Sequence, residues 1–282
     1  MDSDSSSQRI KITQVEETGT KTFEATKPDF MQNENAAFDI RMFGDEKELF
    51  EKIKAKSWRL DEICEVKQTI KSGDDTKFIH THQLHKNFKP IVGGKEIGRY
   101  IVKFNNRYID YGSHLACPRN PRIFEAGEKL LIRETGKDII AAYDTTQRYI
   151  MSSLYSVLAL PQTQVSLKFT LGIVNSAMSQ FYMQRLCFDN SSGAFVKARI
   201  FHYQSLPKLN LETPADKKKH DEVVGLVDKL LAGYAGLAAH KLASAKEQAQ
   251  ARLRHLERRL DGLVYDLYQL TEEEKAHVAG GS

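Results

Sequence analysis

One stretch of the sequence, residues 214–268, constrains the fold more than any other. It contains more than 50 residues with proline only at its first position, and apolar side chains recur along it at steps of three and four. This spacing places the apolar side chains on one face of a helix, so the stretch is predicted to be helical. The apolar positions form two series, which are Val223, Val227, Leu230, Tyr234 and Leu237, and then Leu253, Leu256, Leu260, Leu263 and Leu267.

These two apolar series are out of phase with each other. The 16 residues from Leu237 to Leu253 do not fit a heptad repeat, so a stutter, a kink or a turn is expected between them. Gly233 and Gly236 mark the expected place, because a glycine costs about 1 kcal/mol in a helix interior. Two forms remain open at this point: a long kinked helix of roughly 80 Å, at about 1.5 Å per residue, and a helical hairpin.

The length and composition indicate one large or two modest domains with a hydrophobic core. The chain has 282 residues, 41% of them hydrophobic, and no run of about 18 apolar residues that would predict a membrane span. Its first residues are polar and acidic, unlike a secretion signal. Cys64, Cys117 and Cys187 lie far apart without metal-ligand spacing, which indicates reduced thiols in a cytoplasmic protein.

The formal net charge of +4 is mild but unevenly distributed. Between residues 67 and 148 lysines and arginines outnumber acids and are interleaved with phenylalanines and tyrosines, whereas acids concentrate at residues 45–51 and 272–274. Basic side chains on a β-rich module suit contact with DNA phosphates, and Arg, Lys, Asn and Gln on turns suit base edges. An ordinary solvated basic face is the alternative interpretation of the same composition.

The order of patterns along the chain predicts an α+β fold in three parts. Residues 1–57 are predicted to hold a tail, linker strands and a short helix; residues 58–206 a β-rich lobe with packed helices; and residues 207–282 a helical arm, as one long helix or a hairpin. In the first part, strands are predicted at residues 10–15 and 38–42, and an extended linker or irregular structure at 17–37. An amphipathic helix is predicted at about 46–56, with Leu49, Phe50 and Ile53 on one face.

The β-rich part opens with a short helix running into a strand at residues 58–68, followed by a polar turn at 70–75. A glycine-rich bend at residues 89–100 is expected to leave Lys95 and Arg99 projecting. One mostly buried helix is predicted at residues 167–186. Further strands are predicted at residues 78–80, 101–104, 107–111, 129–134, 139–143, 149–151, 155–160 and 195–201.

Motifs for catalysis are weak in this chain. The Asn-Pro-Pro-Tyr pocket and the glycine-rich methyl-donor loop of adenine methylation are absent, as are the P-loop and G-x-S-x-G motifs. Pro28 with Asp29, and Glu65 with Lys67, match the letters of a PD…(D/E)xK nuclease, so Glu65 is the candidate of an endonuclease hypothesis. His80, His82 and His85 could suggest zinc, but solvated or phosphate-facing imidazoles are favoured because no cysteine or acid stands at fitting spacing.

Six phrases of the sequence occur together in one order. They are T-I-K-S-G-D-D-T-K-F-I at residues 69–79, K-P-I-V-G-G-K-E-I-G-R-Y at 89–100, R-Y-I-D-Y-G at 107–112, K-L-L-I-R-E-T-G at 129–136, L-G-I-V-N-S at 171–176, and L-D-G-L-V-Y-D-L-Y-Q-L-T-E-E-E at 260–274. Over roughly residues 38–274 the chain resembles the TaqI-like C-terminal specificity domain, the target-recognition module of adenine-specific DNA methyltransferases and type IIG restriction-modification enzymes. It departs from that pattern at Thr69 and Ser72, where the family phrase G-I-x-T-G has glycine and threonine.

The resemblance implies recognition of double-stranded DNA, with no catalytic residue in this chain. A β-rich lobe would read a short sequence in the major groove while the helical arm holds it against a methyltransferase catalytic domain or subunit, into which the target adenine is flipped. No cofactor is implied for this chain; the parent enzyme would use S-adenosylmethionine, and Mg²⁺ if it also cleaves DNA. The abrupt polar start favours an excised fragment over a free-standing specificity subunit.

The resemblance also implies a set of DNA-binding residues on the turns of the lobe. Arg133 has a second interpretation, as a buried strand arginine paired with an acid. The candidates are Lys71, Ser72, Asp74, Lys77, Lys95, Arg99, Arg119, Asn120, Arg122, Arg133 and Thr135.

A different class of function competes with DNA recognition. In that hypothesis the chain is a coiled-coil interaction protein, its basic face is incidental, and residues 214–268 drive self-association.

Overall fold

The computed structural model of the chain describes residues 9–16, 19–26, 46–136, 138–186 and 206–280. The predicted tail at residues 1–8 and the strands predicted at 38–42 and 195–201 lie outside these ranges. Two compact units are present, Met1–Ala55 and Lys56–Ser282. No helix in the described ranges is long and apolar enough to cross a membrane.

The first unit contains a β-hairpin and one helix. Strand β1 (Arg9–Glu16) confirms the predicted strand and pairs antiparallel with β2 (Gly19–Thr26), with Arg9 opposite Thr26. The prediction of irregular structure over residues 17–37 is therefore wrong for β2, whose polar residues carry little periodic signal and whose hydrogen bonds come from β1. Helix α1 (Lys47–Ala55) buries Leu49, Phe50 and Ile53, as predicted.

The second unit contains two four-stranded sheets. In the first, all neighbours are antiparallel, and a short helix, α2 (Leu60–Ile63), leads directly into one strand as predicted. The strands of this sheet, in spatial order, are β11 (Ala141–Asp144), β10 (Lys129–Arg133), β13 (Leu154–Ala159) and β4 (Cys64–Gln68).

The second sheet is mixed, because one of its pairs is parallel. Its strand β6 (Phe88–Val92) runs parallel to β12 (Tyr149–Ile150) and antiparallel to β9 (Tyr108–Asp110), which also pairs with β5 (Ile79–His80). The strands in spatial order are β12, β6, β9 and β5. Two smaller pairs are β7 (Ile97–Gly98) with β8 (Ile101–Val102), and β3 (Ser57–Trp58) with β14 (Leu206–Pro207).

One hydrophobic cluster joins the two sheets of the second unit. It combines Leu131 and Leu154 of the first sheet with Ile91, Ile109 and Ile150 of the second, all of them buried. Because this shared core holds both sheets, the loops at their edges start from fixed positions.

The helix predicted over residues 167–186 is two helices, α5 (Leu167–Val174) and α6 (Ala177–Leu186). The break falls at Asn175, whose side-chain amide accepts a hydrogen bond from the Ala141 N–H (3.0 Å) and donates one to the Ala141 carbonyl (2.9 Å). The first N–H of α6, on Ala177, donates to the Asp261 carboxylate at 2.8 Å. Each contact comes from a residue distant in sequence, so the local pattern of apolar residues could not reveal the break.

The helical arm is a hairpin rather than one long helix. Helix α7 (Pro214–Gly236) and helix α8 (Ala243–Leu267) are joined by residues 237–242, immediately after the predicted glycines, and α9 (Glu272–Gly280) follows. The Tyr234 hydroxyl of α7 donates to Glu257 of α8 at 3.0 Å. Packing of α7 against α8 explains why two apolar series that are out of phase can share one core.

Candidate nucleic-acid interface

Three segments of the second unit leave their strands at the same edge of the mixed sheet. Strands β6 and β12 are parallel, and Ile70 forms a parallel bridge with Met151. The residues that follow Ile70, Val92 and Ile150 therefore emerge side by side. We call residues 151–153 the central turn.

The central turn holds these segments together through hydrogen bonds of its main chain and of the Ser153 hydroxyl. The Ser152 N–H donates to the Ile70 carbonyl at 2.8 Å, and the Gly94 N–H donates to the Ser153 hydroxyl at 2.9 Å. The Glu134 N–H donates to the Ser153 carbonyl at 3.0 Å. Candidates that are far apart in sequence, Lys71, Lys95 and Thr135, each follow directly after a residue bonded to this turn.

The first candidate group lies on the loop after Ile70. Ser72 is buried and donates its hydroxyl hydrogen bond to the Asp75 carboxylate, and Asp74 caps helix α3 (Asp75–Phe78) by accepting from the Lys77 N–H at 3.1 Å. Ser72 and Asp74 therefore shape the loop. Lys71 and Lys77 are exposed, and neither forms an ion pair with a described acid.

The second group surrounds Lys95, which lies in a short 3-10 turn, Gly94–Glu96. Glu96 is only 2% exposed and accepts from the Gly93 N–H at 2.7 Å. Its carboxylate also forms a two-point ion pair with Arg107, whose Nε lies 3.0 Å from Oε1. With the glutamate turned inward, Lys95 is left exposed, and no described acid pairs with it.

Sequence reasoning missed Glu96, Arg107 and Ser153 as residues that position this surface. The only sign of the Glu96–Arg107 ion pair in the sequence was that an acid stands next to Lys95 and an arginine follows later in the chain. Their pairing depends on β6 and β9 being neighbours, because the Ile91 N–H donates to the Arg107 carbonyl at 2.9 Å. No local pattern marked Ser153.

Arg99 and Arg133 are engaged with the protein interior. Arg99 Nη2 donates to the Asn175 carbonyl and lies 3.5 Å from Glu257 of α8, so this side chain does not project as expected. Arg133 Nη2 donates to the Ile97 carbonyl, and burial lowers the pKa of its guanidinium. Thr135 is half-buried beside Glu134.

The third group, Arg119, Asn120 and Arg122, lies beside the first. Arg119 has a φ of 65° and donates from Nε to the Thr69 carbonyl at 3.3 Å. The loop is tied to Lys71 by the Lys71 N–H, which donates to the Cys117 carbonyl at 3.0 Å. The Asn120 side-chain amide oxygen (Oδ1) accepts from the Arg122 N–H at 3.0 Å, which shapes the turn.

Glu65, the carboxylate of the endonuclease hypothesis, is held by cations. Arg122 Nη2 donates to both of its oxygens, at 2.8 and 2.9 Å, and Lys67 Nζ lies 3.2 Å away. The hydrogen bond from Arg122 lowers the pKa of Glu65. In the described part of the chain no group of three or more His, Cys, Asp or Glu residues could hold a metal ion, and Asp29 lies outside it.

The central turn, the Lys95 turn and the third group all fall within the region that one family model matches. The model of the TaqI-like C-terminal specificity domain matches residues 89–207. Residues 89–207 are therefore similar to this family. The matched region begins in β6 and ends at β14, while the Lys71 loop precedes it and the α7–α8 hairpin follows it.

Two solved structures similar to the chain concern restriction-modification (R-M) systems. The first comes from a study of complex assembly and conformational transition of the type I R-M system. It is 13% identical to this chain, the alignment covers 76% of this chain and 45% of the other, and the TM-score is 0.37. The other, an HsdS subunit from Thermoanaerobacter tengcongensis, is 12% identical, covers 84% of this chain and 50% of its own, and has a TM-score of 0.33. The chain spans about half the length of both. No curated protein matches it.

Proposed function

We propose that the chain recognises a short sequence in double-stranded DNA as the specificity part of a restriction-modification enzyme. The observation that carries this proposal is the coincidence of the specificity-domain match with the convergence of loops at the central turn. Exposed cations without a described acid partner, Lys71 and Lys95, lie at that point. Such side chains suit phosphate contacts, which fix the register of a protein on DNA.

Base readout requires side chains that can both donate and accept hydrogen bonds in the major groove. Asn120 is exposed, and its amide group is free to donate, since only its oxygen accepts from Arg122 in this structure. Arg119 adds a guanidinium whose Nη2 donates only to the Gln68 side chain, at 3.2 Å. We assign base readout to Arg119 and Asn120, and to Thr135, which directly follows the residue bonded to Ser153 of the central turn.

The catalytic step belongs to a partner in this proposal. A methyltransferase domain or subunit that uses S-adenosylmethionine would take up the flipped adenine. The α7–α8 hairpin would hold the lobe against this methyltransferase, and the complex would act in the cytoplasm. Mg²⁺ would be needed only by a parent enzyme that also cleaves DNA. The alternative of a coiled-coil module is less favoured, because Val223 and Val227 of α7 approach Gly172 of α5 within the chain.

The experiment is a binding titration with duplex DNA selected by the protein from a randomised pool. At about 50 mM salt we expect binding that weakens as salt rises, because phosphate contacts release counterions. Single base-pair changes in the selected site should each cost about 1 to 3 kcal/mol. Absence of binding, or equal binding to selected and unselected duplexes, would overturn the proposal.

A further inference from the structure

The last residue of β5 and the segment that joins β5 to β6 carry three histidines that have no role in the interface described above. We call residues 80–87, which contain His80, His82 and His85, the histidine loop. Every side chain from residue 81 to residue 87 is exposed, and the family match begins only at residue 89.

Two of the three imidazole rings are held in place by one buried aromatic side chain. The ring centroid of His80 lies 5.2 Å from that of Phe88, and the ring of His85 meets it edge-on at 4.4 Å. Phe88 is 3% exposed, and its N–H donates to the His85 carbonyl at 3.0 Å. The entropy cost of ordering these two rings when a ligand binds is therefore small.

The histidine loop adjoins the Lys71 loop of the proposed interface. His80 Nε2 lies 3.1 Å from the Lys77 carbonyl, and the Lys77 ammonium lies 5.1 Å from the centroid of the Phe78 ring. The Phe78 ring in turn contacts a fourth imidazole, that of His114, at 5.0 Å. The basic surface of Lys71 and Lys77 thus continues into the loop.

Acids lie near the histidine loop, but within the described ranges each is engaged elsewhere or lies beyond ion-pair distance of its three imidazoles. The loop itself contains Lys86, and β6 contributes Lys89, which lies 3.9 Å from Glu125. Helix α3 contributes Lys77 and two acids, its cap Asp74, which accepts from the Lys77 N–H, and Asp75, which accepts from the Ser72 hydroxyl. Strand β9 contributes Tyr108 and Asp110, and the Asp110 carboxylate lies 3.7 Å from His114. Within the described ranges, no carboxylate forms an ion pair with any of the loop's three imidazoles.

We propose that the histidine loop contacts DNA backbone phosphates, and that protonation of its imidazoles couples DNA binding to pH. This inference rests on the proposed function. Histidine is the side chain that ordinarily changes charge between about pH 5 and 8, and a nearby phosphate favours its protonated form. DNA binding then takes up protons, so affinity rises as the pH falls through that range. An acidic protein could supply the same counter-charge, but continuity with Lys71 and Lys77 favours DNA.

The experiment compares the full chain with a variant that carries His80→Gln, His82→Gln and His85→Gln. Binding to a mixed-sequence duplex is measured at constant low salt, at about pH 8 and about pH 6. We expect the unaltered chain to bind about tenfold more tightly at the lower pH, because protonated imidazoles place additional positive charge beside the phosphates. The variant should lose that gain and bind as the unaltered chain does at the higher pH.

Two further variants act as controls. His240→Gln with His255→Gln removes two exposed histidines outside the loop and should retain the full pH dependence. His82→Lys places a permanent charge in the loop and should tighten binding at about pH 8 while reducing the gain at lower pH. Thermal melting of each variant shows that the fold is intact.

The outcomes separate this inference from the proposed function. Binding whose pH dependence survives in the triple-glutamine variant overturns the inference alone. A chain that binds no duplex at either pH overturns both. A third outcome is that the chain binds polyglutamate and not DNA, and that the pH dependence of this binding is lost in the triple-glutamine variant. This outcome identifies an acidic protein as the partner and overturns the DNA assignment.

Discussion

At the scale of single residues, the basic side chains of the second unit differ in what neutralises them. Lys71 and Lys95 are exposed without a described acid partner. Arg122 is paired with Glu65, and Arg99 donates to the Asn175 carbonyl near Glu257. All four are cations in the sequence, but only the first two are available for phosphate contacts without breaking an existing interaction.

Lys95→Ala and Arg99→Ala should therefore affect DNA binding differently. Loss of Lys95 should weaken binding to all sequences and reduce the slope of log affinity against log salt by about 1, because one phosphate contact is lost. Loss of Arg99 should leave that slope unchanged. Salt titrations of both variants, with Lys241→Ala as an exposed control, test the difference. An Arg99 variant with a reduced slope would show that its guanidinium reaches DNA.

At the scale of elements, the packing of α5 against α7 depends on a glycine. A Cβ atom at Gly172 would lie 2.9 Å from a methyl carbon of Val227 and 3.1 Å from one of Val223. Gly225 of α7 has open space around the same position. The glycine of the L-G-I-V-N-S phrase thus permits close helix contact, and any side chain there would push the helical hairpin away from the lobe.

Gly172→Ala and Gly225→Ala form a matched pair for this interpretation. Alanine at residue 172 should destabilise the chain by about 1 to 3 kcal/mol through overpacking. At residue 225 it should stabilise by up to about 1 kcal/mol, since alanine is the better helix former. Urea unfolding measures both free energies. Equal stabilisation by the two substitutions would mean that α5 does not pack closely on α7.

At the scale of the whole molecule, one buried ion pair lies within the antiparallel sheet. Lys129 Nζ lies 2.7 Å from the Asp144 carboxylate, and both side chains are fully buried. Arg148 and the Thr146 hydroxyl also contact Asp144, each at 2.7 Å. Burial acts to raise the pKa of Asp144, but the charge of Lys129 and these hydrogen bonds outweigh it and hold the pKa below its ordinary value.

A depressed carboxyl pKa ties the stability of the fold to pH. The contribution of Asp144 is present above the unfolded pKa of about 3.9 and is lost as the pH falls through the folded pKa. Asp144→Asn should cost about 3 to 5 kcal/mol at neutral pH, because Lys129 is left buried without its partner, and should flatten this acid dependence. Urea unfolding at several pH values tests it, with Asp228→Asn at a half-exposed ion pair as the control. A variant as acid-sensitive as the unaltered chain would contradict the assignment.

Much of the fold could be predicted because it depends on local periodicity. The helical arm, the short helix before β4 and the face of α1 follow from the spacing of apolar residues, which determines the side of a helix that can be buried. The turn after Gly236 was marked by glycines in a helix interior. The phrases around Lys95 and Arg133 were sufficient to indicate the specificity-domain family.

The tertiary structure alone decided which side chains are available to DNA. Whether Arg99 projects or turns inward depends on the position of Asn175 and Glu257, which are 76 and 158 residues further along the chain. The break at Asn175 likewise depends on hydrogen bonds to Ala141, and the choice of a hairpin depends on α7 meeting α8. A sequence pattern determines which face of an element is apolar, but polar side chains choose their partners by proximity in space, which only the packed fold creates.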